Sequence, residues 1–271
     1  VRDCAVAMQV IAGHDPRDAT SIPGECPDLL SSIEDGLDGL RVGRPAAFDD
    51  WEMDSCVREA ATAAFEAIAG AGAAVTEVDL PDQDDSIASY YILANAEASS
   101  NLARYDGVKY GLRVPGGDLA GMYEETRGEG FGDEVKRRVL LGTYVLSAGY
   151  YDAYYAKAQR VKAMICEAYD RLFERVDLVL LPTSPTPAFG IGERVDDPIS
   201  MYLSDIFTTT ANIAGLPAVS VPVGLSPEGL PLGMQFVAAA GREDVLMRGA
   251  RALERVSGFG KRNADGGGGA S

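Results

Sequence analysis

The pattern of apolar and polar positions centres on residues 177–237. A continuous apolar run, Leu178–Leu181, ends at Pro182, and prolines recur over the residues that follow. Such a run between polar and proline residues is typical of a strand buried on both faces of a sheet. Two further short strands are predicted at Ala218–Val223 and Leu232–Val237. Ligands of open α/β sheets bind just beyond the carboxyl ends of such strands. We therefore expect a site in the segment from the end of the apolar run to Asp205.

A strand–helix–strand unit is predicted nearer the amino end. Leu40–Val42 is a short strand candidate that we expect to stop at Gly43 and Pro45. A helix with apolar positions at helical spacing follows from residues 54–55 to 69. Ala74–Leu80 alternates between apolar and polar residues, as a strand with one wetter face does. This order predicts a parallel strand pair with a right-handed crossover.

The remaining periodic segments predict helices, and glycines mark the places where they break. A loop rich in glycine is predicted up to Gly130, and Gly142 and Gly149 should interrupt the long helical pattern that follows. We expect a disordered tail over residues 263–271. The predicted helices are Val1–Ala12, Asp84–Tyr105, Asp133–Arg175 and Glu243–Val256.

The first residues carry a prediction of their own. Val1 is not a start methionine, and no capping residue precedes the predicted first helix. The spacing places Val1, Cys4, Ala5, Met8 and Ile11 on one face of that helix. We expect the chain to be part of a longer protein that was cut upstream, although a processed terminus is the alternative.

Composition excludes several classes of protein. The net charge of −17 makes phosphate backbones poor partners. The same charge, with five lysines against 41 acidic residues, favours a protein kept soluble in high salt. A moderately acidic enzyme is the alternative. No apolar run is long enough to span a bilayer, and no signal peptide is recognised. We expect a cytoplasmic protein.

The residues offer little for covalent or metal chemistry. Four scattered cysteines suggest reduced thiols, and His14 is the only histidine, which argues against a Ser-His-Asp triad and a histidine-based zinc site. There is no nucleophile elbow and no Walker loop. Taken alone, the chain lacks the groups of a covalent catalyst, so no catalytic residue and no metal ligand are predicted.

Three side chains are candidates for recognition. Arg138 offers a fork for a carboxylate, although a surface ion pair with Glu134 one turn earlier is the alternative. Asp205 could accept hydrogen bonds from an ammonium group, or cap a helix. Tyr90 could present a phenol to a ligand, or lie at the edge of the core. The residues alone leave these alternatives open.

Several motifs in order resemble the amidase signature family. Within that family they are most similar to the glutaminase subunits of tRNA-dependent amidotransferases. The resemblance covers the chain apart from its tail, and residues 1–262 would be the carboxy-terminal part of a single amidase domain. The motifs are Glu97–Gly107, Glu129–Arg138, Ser147–Tyr155, Leu181–Phe189, Asp196–Tyr202, Asn212–Pro222 and Gly229–Gln235.

The resemblance implies a fold and a site. The fold would be an α/β structure with a mixed, largely parallel sheet covered by helices, incomplete in this chain. The family's Ser-Ser-Lys triad lies in a region upstream of Val1. By motif position, Tyr90, Arg138 and Asp205 would contact glutamine, with Arg138 on its α-carboxylate and Asp205 on its α-ammonium group.

The resemblance also implies a reaction and partners. Ammonia released from glutamine would amidate Glu-tRNA(Gln) or Asp-tRNA(Asn) on a partner, the B-subunit, with a small C-subunit completing the assembly. ATP and magnesium would be used by the partner, and this chain would hold no cofactor and contact tRNA little. A stand-alone amide hydrolase and a non-catalytic assembly module remain as alternatives.

Overall fold

The chain forms two compact units in the computed structural model, which describes residues 1–194 and 198–259. Residues 1–83, together with the chain from Ile165 onward, form a sheet-containing unit, and residues Asp84–Met164 form a helical unit. Two units can belong to one larger domain, so a single amidase domain over residues 1–262 stays a prediction. The predicted disordered tail lies outside the described residues.

The sheet of the first unit has five strands: β1 (Arg41–Pro45), β2 (Ala74–Val78), β3 (Leu178–Pro182), β4 (Ala218–Leu225) and β5 (Pro231–Ala238). Their order is β2-β1-β3-β5-β4. The β1 strand is parallel to β2 and β3, whereas β5 is antiparallel to both β3 and β4. The predicted mixed α/β sheet is therefore confirmed, with as many antiparallel as parallel pairings among the described strands.

Strand β3 is the centre of this sheet and is buried along its whole length. Leu178 and Leu180 belong to a core that includes side chains of the helices α2 (Ser55–Gly70) and α9 (Glu243–Ser257). Val179 and Leu181 face a second cluster. The strand thus has buried apolar side chains on both faces of the sheet, as its continuous apolar sequence predicted.

Strand β1 corrects one prediction. It continues through Gly43 and Pro45 instead of stopping there. A Cβ at Gly43 would lie 2.8 Å from Cγ2 of Val78, so glycine at this position allows a close approach and does not end the strand.

The first helix, α1 (Arg2–Ile11), also departs from the prediction in part. Ala5 is fully buried, and Val1 and Met8 pack beside it. Ile11 is 79% exposed, however, and Cys4 is exposed as well. Only part of the face that these residues share is therefore buried.

The helical unit contains α3 (Gln83–Leu102), α4 (Leu119–Gly130) and α5 (Asp133–Val145), followed by a π-helical turn at Tyr151–Tyr155. The next helix, α6 (Ala156–Phe173), contributes residues to both units. The predicted loop up to Gly130 was wrong over α4. Its glycines lower helix propensity, but the carboxylate of Asp118 caps the helix by accepting from the Gly121 backbone amide at 2.7 Å.

Helices α3 and α5 are packed closely at Gly142, which lies inside α5 and does not interrupt it. A Cβ at Gly142 would lie 2.0 Å from the backbone oxygen of Asn95. The hydroxyls of Ser99 and Thr143 are 3.0 Å apart beside this contact. The predicted break falls instead near Gly149, which has a φ of +86°.

We predict that Gly142→Ala destabilises the helical unit by about 2 kcal/mol, because the added methyl group forces α3 and α5 apart. Gly128→Ala is the matched control, since Gly128 is exposed in α4 and a Cβ there meets open space. That change should be neutral or stabilise by up to about 1 kcal/mol. Urea unfolding of both variants measures the difference, and equal midpoints would contradict the close packing.

No helix within residues 1–194 and 198–259 is long and apolar enough to cross a membrane.

Candidate functional site

The carboxyl end of β3 opens into a cavity of about 350 Å³ with hydroxyl groups on its wall. The hydroxyl oxygens of Thr183 and Ser220 lie 2.7 Å apart, and Ser184 and Thr186 line the same space. A Cβ at Gly233 would lie 2.9 Å from Oγ of Ser220, so glycine leaves room for this hydroxyl pair. The cavity lies where the strand pattern predicted a site.

The loop after β3 is held in place by Gln235, whose side chain is buried. Its amide nitrogen donates to the carbonyl oxygens of Pro182 at 3.1 Å and Phe207 at 2.8 Å. Sequence reasoning missed this residue. The signal in the sequence was a glutamine in the otherwise apolar strand β5, because a buried amide needs partners.

Asp205 lies in a tight turn between the helices α7 (Pro198–Leu203) and α8 (Thr209–Ala214). Its backbone amide donates to the carbonyl of Tyr202 at 3.1 Å. Its own carbonyl accepts from the amides of Thr208 and Thr209, both at 3.0 Å. The residue is exposed. Its backbone therefore fixes the entry to α8, and the residue lies at the surface of the sheet-containing unit.

Arg138 lies on α5 and pairs with Glu134, as the alternative interpretation predicted. Its Nε donates to Oε1 of Glu134 at 2.9 Å, while Oε2 of Glu134 accepts from Nη1 of Arg137 at 2.8 Å. Arg138 is 34% exposed, against 50% for Arg137. Within the described part of the chain, the two terminal nitrogens of Arg138 donate no hydrogen bond. Glu134 thus holds the guanidinium at Nε, and its pair with Arg138 uses neither terminal nitrogen.

Tyr90 lies near this guanidinium within the helical unit. Its ring meets that of Tyr91 edge to face, with centroids 5.2 Å apart. The hydrogen bond to Glu134 raises the pKa of Arg138 above its ordinary value, and the phenols of Tyr90 and Tyr91 add smaller electrostatic contributions in the same direction. Arg138 and Tyr90 therefore share one part of the helical unit. Asp205 belongs to the sheet-containing unit, and the three-residue site stays a prediction.

Histidine, cysteine, aspartate and glutamate are the possible metal ligands in the part of the chain that the structure describes. No group of three or more histidine, cysteine, aspartate or glutamate side chains there could hold a metal ion. His14 lies in an exposed loop with Nδ1 3.2 Å from the hydroxyl of Ser21. The four cysteines are free thiols.

The fold and these motifs define the class of protein. Residues 1–247 match the Amidase family, and the chain belongs to that family. Solved structures agree with the fold: a 6-aminohexanoate cyclic dimer hydrolase superposes with a TM-score of 0.73 at 25% identity, over 96% of this chain and 54% of that one.

Within this family, the chain is similar to one component of an enzyme, the A-subunit of Glutamyl-tRNA(Gln) amidotransferase. Over 96% of this chain, that component is 52% identical in Rhodospirillum rubrum and 53% identical in Rubrobacter xylanophilus. Its crystal structure from Thermotoga maritima has a TM-score of 0.73 at 38% identity over 94% of this chain. The chain spans about half the length of these relatives: 52%, 54% and 50%.

Proposed function

We propose that this chain is the glutamine-recognising part of the glutaminase subunit of a tRNA-dependent amidotransferase. The observation that carries the proposal is the Arg138 guanidinium, which donates to Glu134 through Nε and uses neither terminal nitrogen in that pair, beside the phenol of Tyr90. The similarity to proteins named for amidotransfer on Glu-tRNA(Gln) supports the same function.

In this proposal, Arg138 binds the α-carboxylate of glutamine. A guanidinium presents two parallel N–H groups that match the two oxygens of a carboxylate. With Nε already donated to Glu134, the fork binds end-on through its two terminal nitrogens. The partial burial of Arg138 strengthens this pairing relative to a fully exposed arginine.

Asp205 binds the α-ammonium group in the proposal. A carboxylate accepts hydrogen bonds from an ammonium group, and a site with one positive and one negative side chain selects an α-amino acid over neutral amides. Tyr90 contacts the ligand from the same side as Arg138. These contacts hold the side-chain amide of glutamine towards the reacting groups.

The bond-breaking step would use the serine, bridging serine and lysine that the family resemblance places outside residues 1–271. The serine oxygen attacks the amide carbon of glutamine, the C–N bond breaks, and ammonia leaves. Water then releases glutamate from the acyl-serine. This chain's residues bind and orient the substrate, and none of them forms a covalent bond to it.

The ammonia would be consumed by the B-subunit, where ATP and magnesium activate the misacylated glutamyl or aspartyl group on tRNA. A small C-subunit would complete the cytoplasmic assembly. The net charge of −17 suits a chain that leaves tRNA binding to its partners.

Ammonia release from glutamine by the full-length protein, purified with its partner subunits, tests the proposed function. We expect release of ammonia from glutamine, and ATP-dependent formation of Gln-tRNA(Gln) or Asn-tRNA(Asn) when the matching misacylated tRNA is added. Hydrolysis of simple apolar amides without any use of glutamine would instead identify a stand-alone amidase. Assembly with the partners and no amide hydrolysis at all would identify a non-catalytic module.

A further inference from the structure

Arg194 connects two segments of the sheet-containing unit. Its Nη1 donates to the hydroxyl oxygen of Ser204 at 2.6 Å, and its Nη2 donates to that of Thr186 at 3.3 Å. The guanidinium carbon also lies 4.3 Å from the centroid of the Phe189 ring. Thr186 and Phe189 belong to the loop after β3, whereas Ser204 directly precedes Asp205.

These contacts need the shape of an arginine. A planar guanidinium can lie over an aromatic ring and donate in its own plane in two directions at once. A lysine ammonium keeps the charge but cannot hold both hydroxyl groups in a fixed geometry. Arg194 therefore acts as a clamp between the loop after β3 and the turn that carries Asp205.

The backbone hydrogen bonds of Asp205 to other described residues are local. The amide of Asp205 bonds to Tyr202 within the turn, and its carbonyl bonds to Thr208 and Thr209 at the start of α8. These bonds set the shape of the turn. The bond from Arg194 to Ser204 ties that shape to the wall of the 350 Å³ cavity, which Thr186 and Phe189 line.

We propose that Arg194 is a positioning residue that sets the affinity for the α-ammonium group of the substrate by holding the Asp205 turn against the loop after β3. The inference rests on the proposed function, in which Asp205 binds that ammonium group. Electrostatics alone predicts the opposite effect, because removing a nearby positive charge should favour binding of a cation. Weaker binding after loss of Arg194 is therefore a sign of lost positioning.

The test uses the full-length protein with its partner subunits and compares two substrates. Arg194→Gln should raise KM for glutamine roughly tenfold and change kcat less than about twofold, as expected for loss of hydrogen bonds made by a charged group. KM for glutaramate, which lacks the α-ammonium group, should stay unchanged. Arg194→Lys should recover part of the loss, and Ser204→Ala, which removes one hydroxyl only, should shift KM in the same direction.

Arg248→Gln is the matched control. Arg248 makes the same kind of tie elsewhere in this unit, donating to the carbonyls of Gly36 at 2.8 Å and Asp38 at 2.9 Å. The Arg248→Gln variant should have a lower Tm, and its KM values for glutamine and for glutaramate should both be unchanged. Three variants are compared for their KM for glutamine. If Asp205→Asn raises it while Arg194→Gln and Ser204→Ala both leave it unchanged, the role of Arg194 alone is overturned. If Asp205→Asn leaves KM for glutamine unchanged, the proposed function fails, and the clamp fails with it.

Discussion

Replacing Arg138 with glutamine is expected to lower kcat/KM for glutamine roughly 100-fold in the full-length protein, because the variant loses two charge-assisted hydrogen bonds to the α-carboxylate. Arg138→Lys should recover only part of this loss, since a point charge cannot bind both oxygens. The measurement is ammonia release at varied glutamine concentration.

Arg137→Gln is the matched control for that change. Arg137 donates to the same glutamate, Glu134, but lies one residue earlier on α5 and is more exposed. It should change kcat/KM less than about threefold, as exposed ion pairs contribute little. With 4-aminobutanamide, a glutamine analogue without the carboxylate, Arg138→Gln and the parent protein should be equally slow. Equal losses in the Arg137 and Arg138 variants would refute the assignment of the carboxylate site.

Asp205→Asn is expected to lower kcat/KM for glutamine by a similar factor, roughly 100-fold, because the ammonium group loses its counter-ion. Asparagine keeps the size of the side chain and the backbone bonds to Tyr202, Thr208 and Thr209. The fold of the turn should therefore survive. Kinetics with glutaramate provide the comparison, since this substrate has no ammonium group to lose.

Activity on glutamine and on glutaramate distinguishes a loss of ammonium binding from misfolding in Asp205→Asn. If Asp205 binds the ammonium group, Asp205→Asn should leave kcat/KM for glutaramate within about threefold of the parent value. If the variant is instead misfolded, both substrates should be lost together, and its Tm should fall. A stand-alone amidase predicts a third result, in which activity on apolar amides is retained and glutamine is never used.

The sequence was most informative where burial is continuous. The apolar run ending at Leu181 predicted a strand with two covered faces, and β3 is fully buried. Helices with a long apolar repeat, such as α2 and α9, were also predicted within a few residues of their observed ends. Here the hydrophobic pattern and the fold have the same physical cause, because each apolar position has a neighbouring layer to pack against.

Local chemistry explains the errors. Helix α4 was missed because its three glycines argue against a helix, while a single carboxylate cap at Asp118 and the burial of Met122 and Thr126 favour one. The helices α7 and α8 have six residues each, too few for a periodic pattern to be recognised. Gly43 and Gly142 were interpreted as breaks, but each lets two elements approach closely.

The candidate site was predictable only in its residue types. The alternative for Arg138, an ion pair with Glu134, is present in the structure. Whether a ligand can also bind depends on which nitrogen of Arg138 pairs with Glu134. No sequence pattern reveals which nitrogen this is. Gln235 and Arg194 were missed because their hydrogen-bond partners are not their neighbours in the sequence. The partners of Gln235 lie 53 and 28 residues away, and those of Arg194 lie 10 and 8 residues away.

Every kinetic expectation for glutamine depends on Arg138 binding the α-carboxylate and Asp205 binding the α-ammonium group of the same glutamine molecule. A crystal structure of the full-length protein with bound glutamine is the decisive experiment. We predict a terminal nitrogen of Arg138 within about 3 Å of the α-carboxylate, and a carboxylate oxygen of Asp205 within about 3 Å of the α-ammonium nitrogen. Glutamine bound with neither side chain in contact, or with the two side chains in separate cavities, would show that the proposed site does not exist.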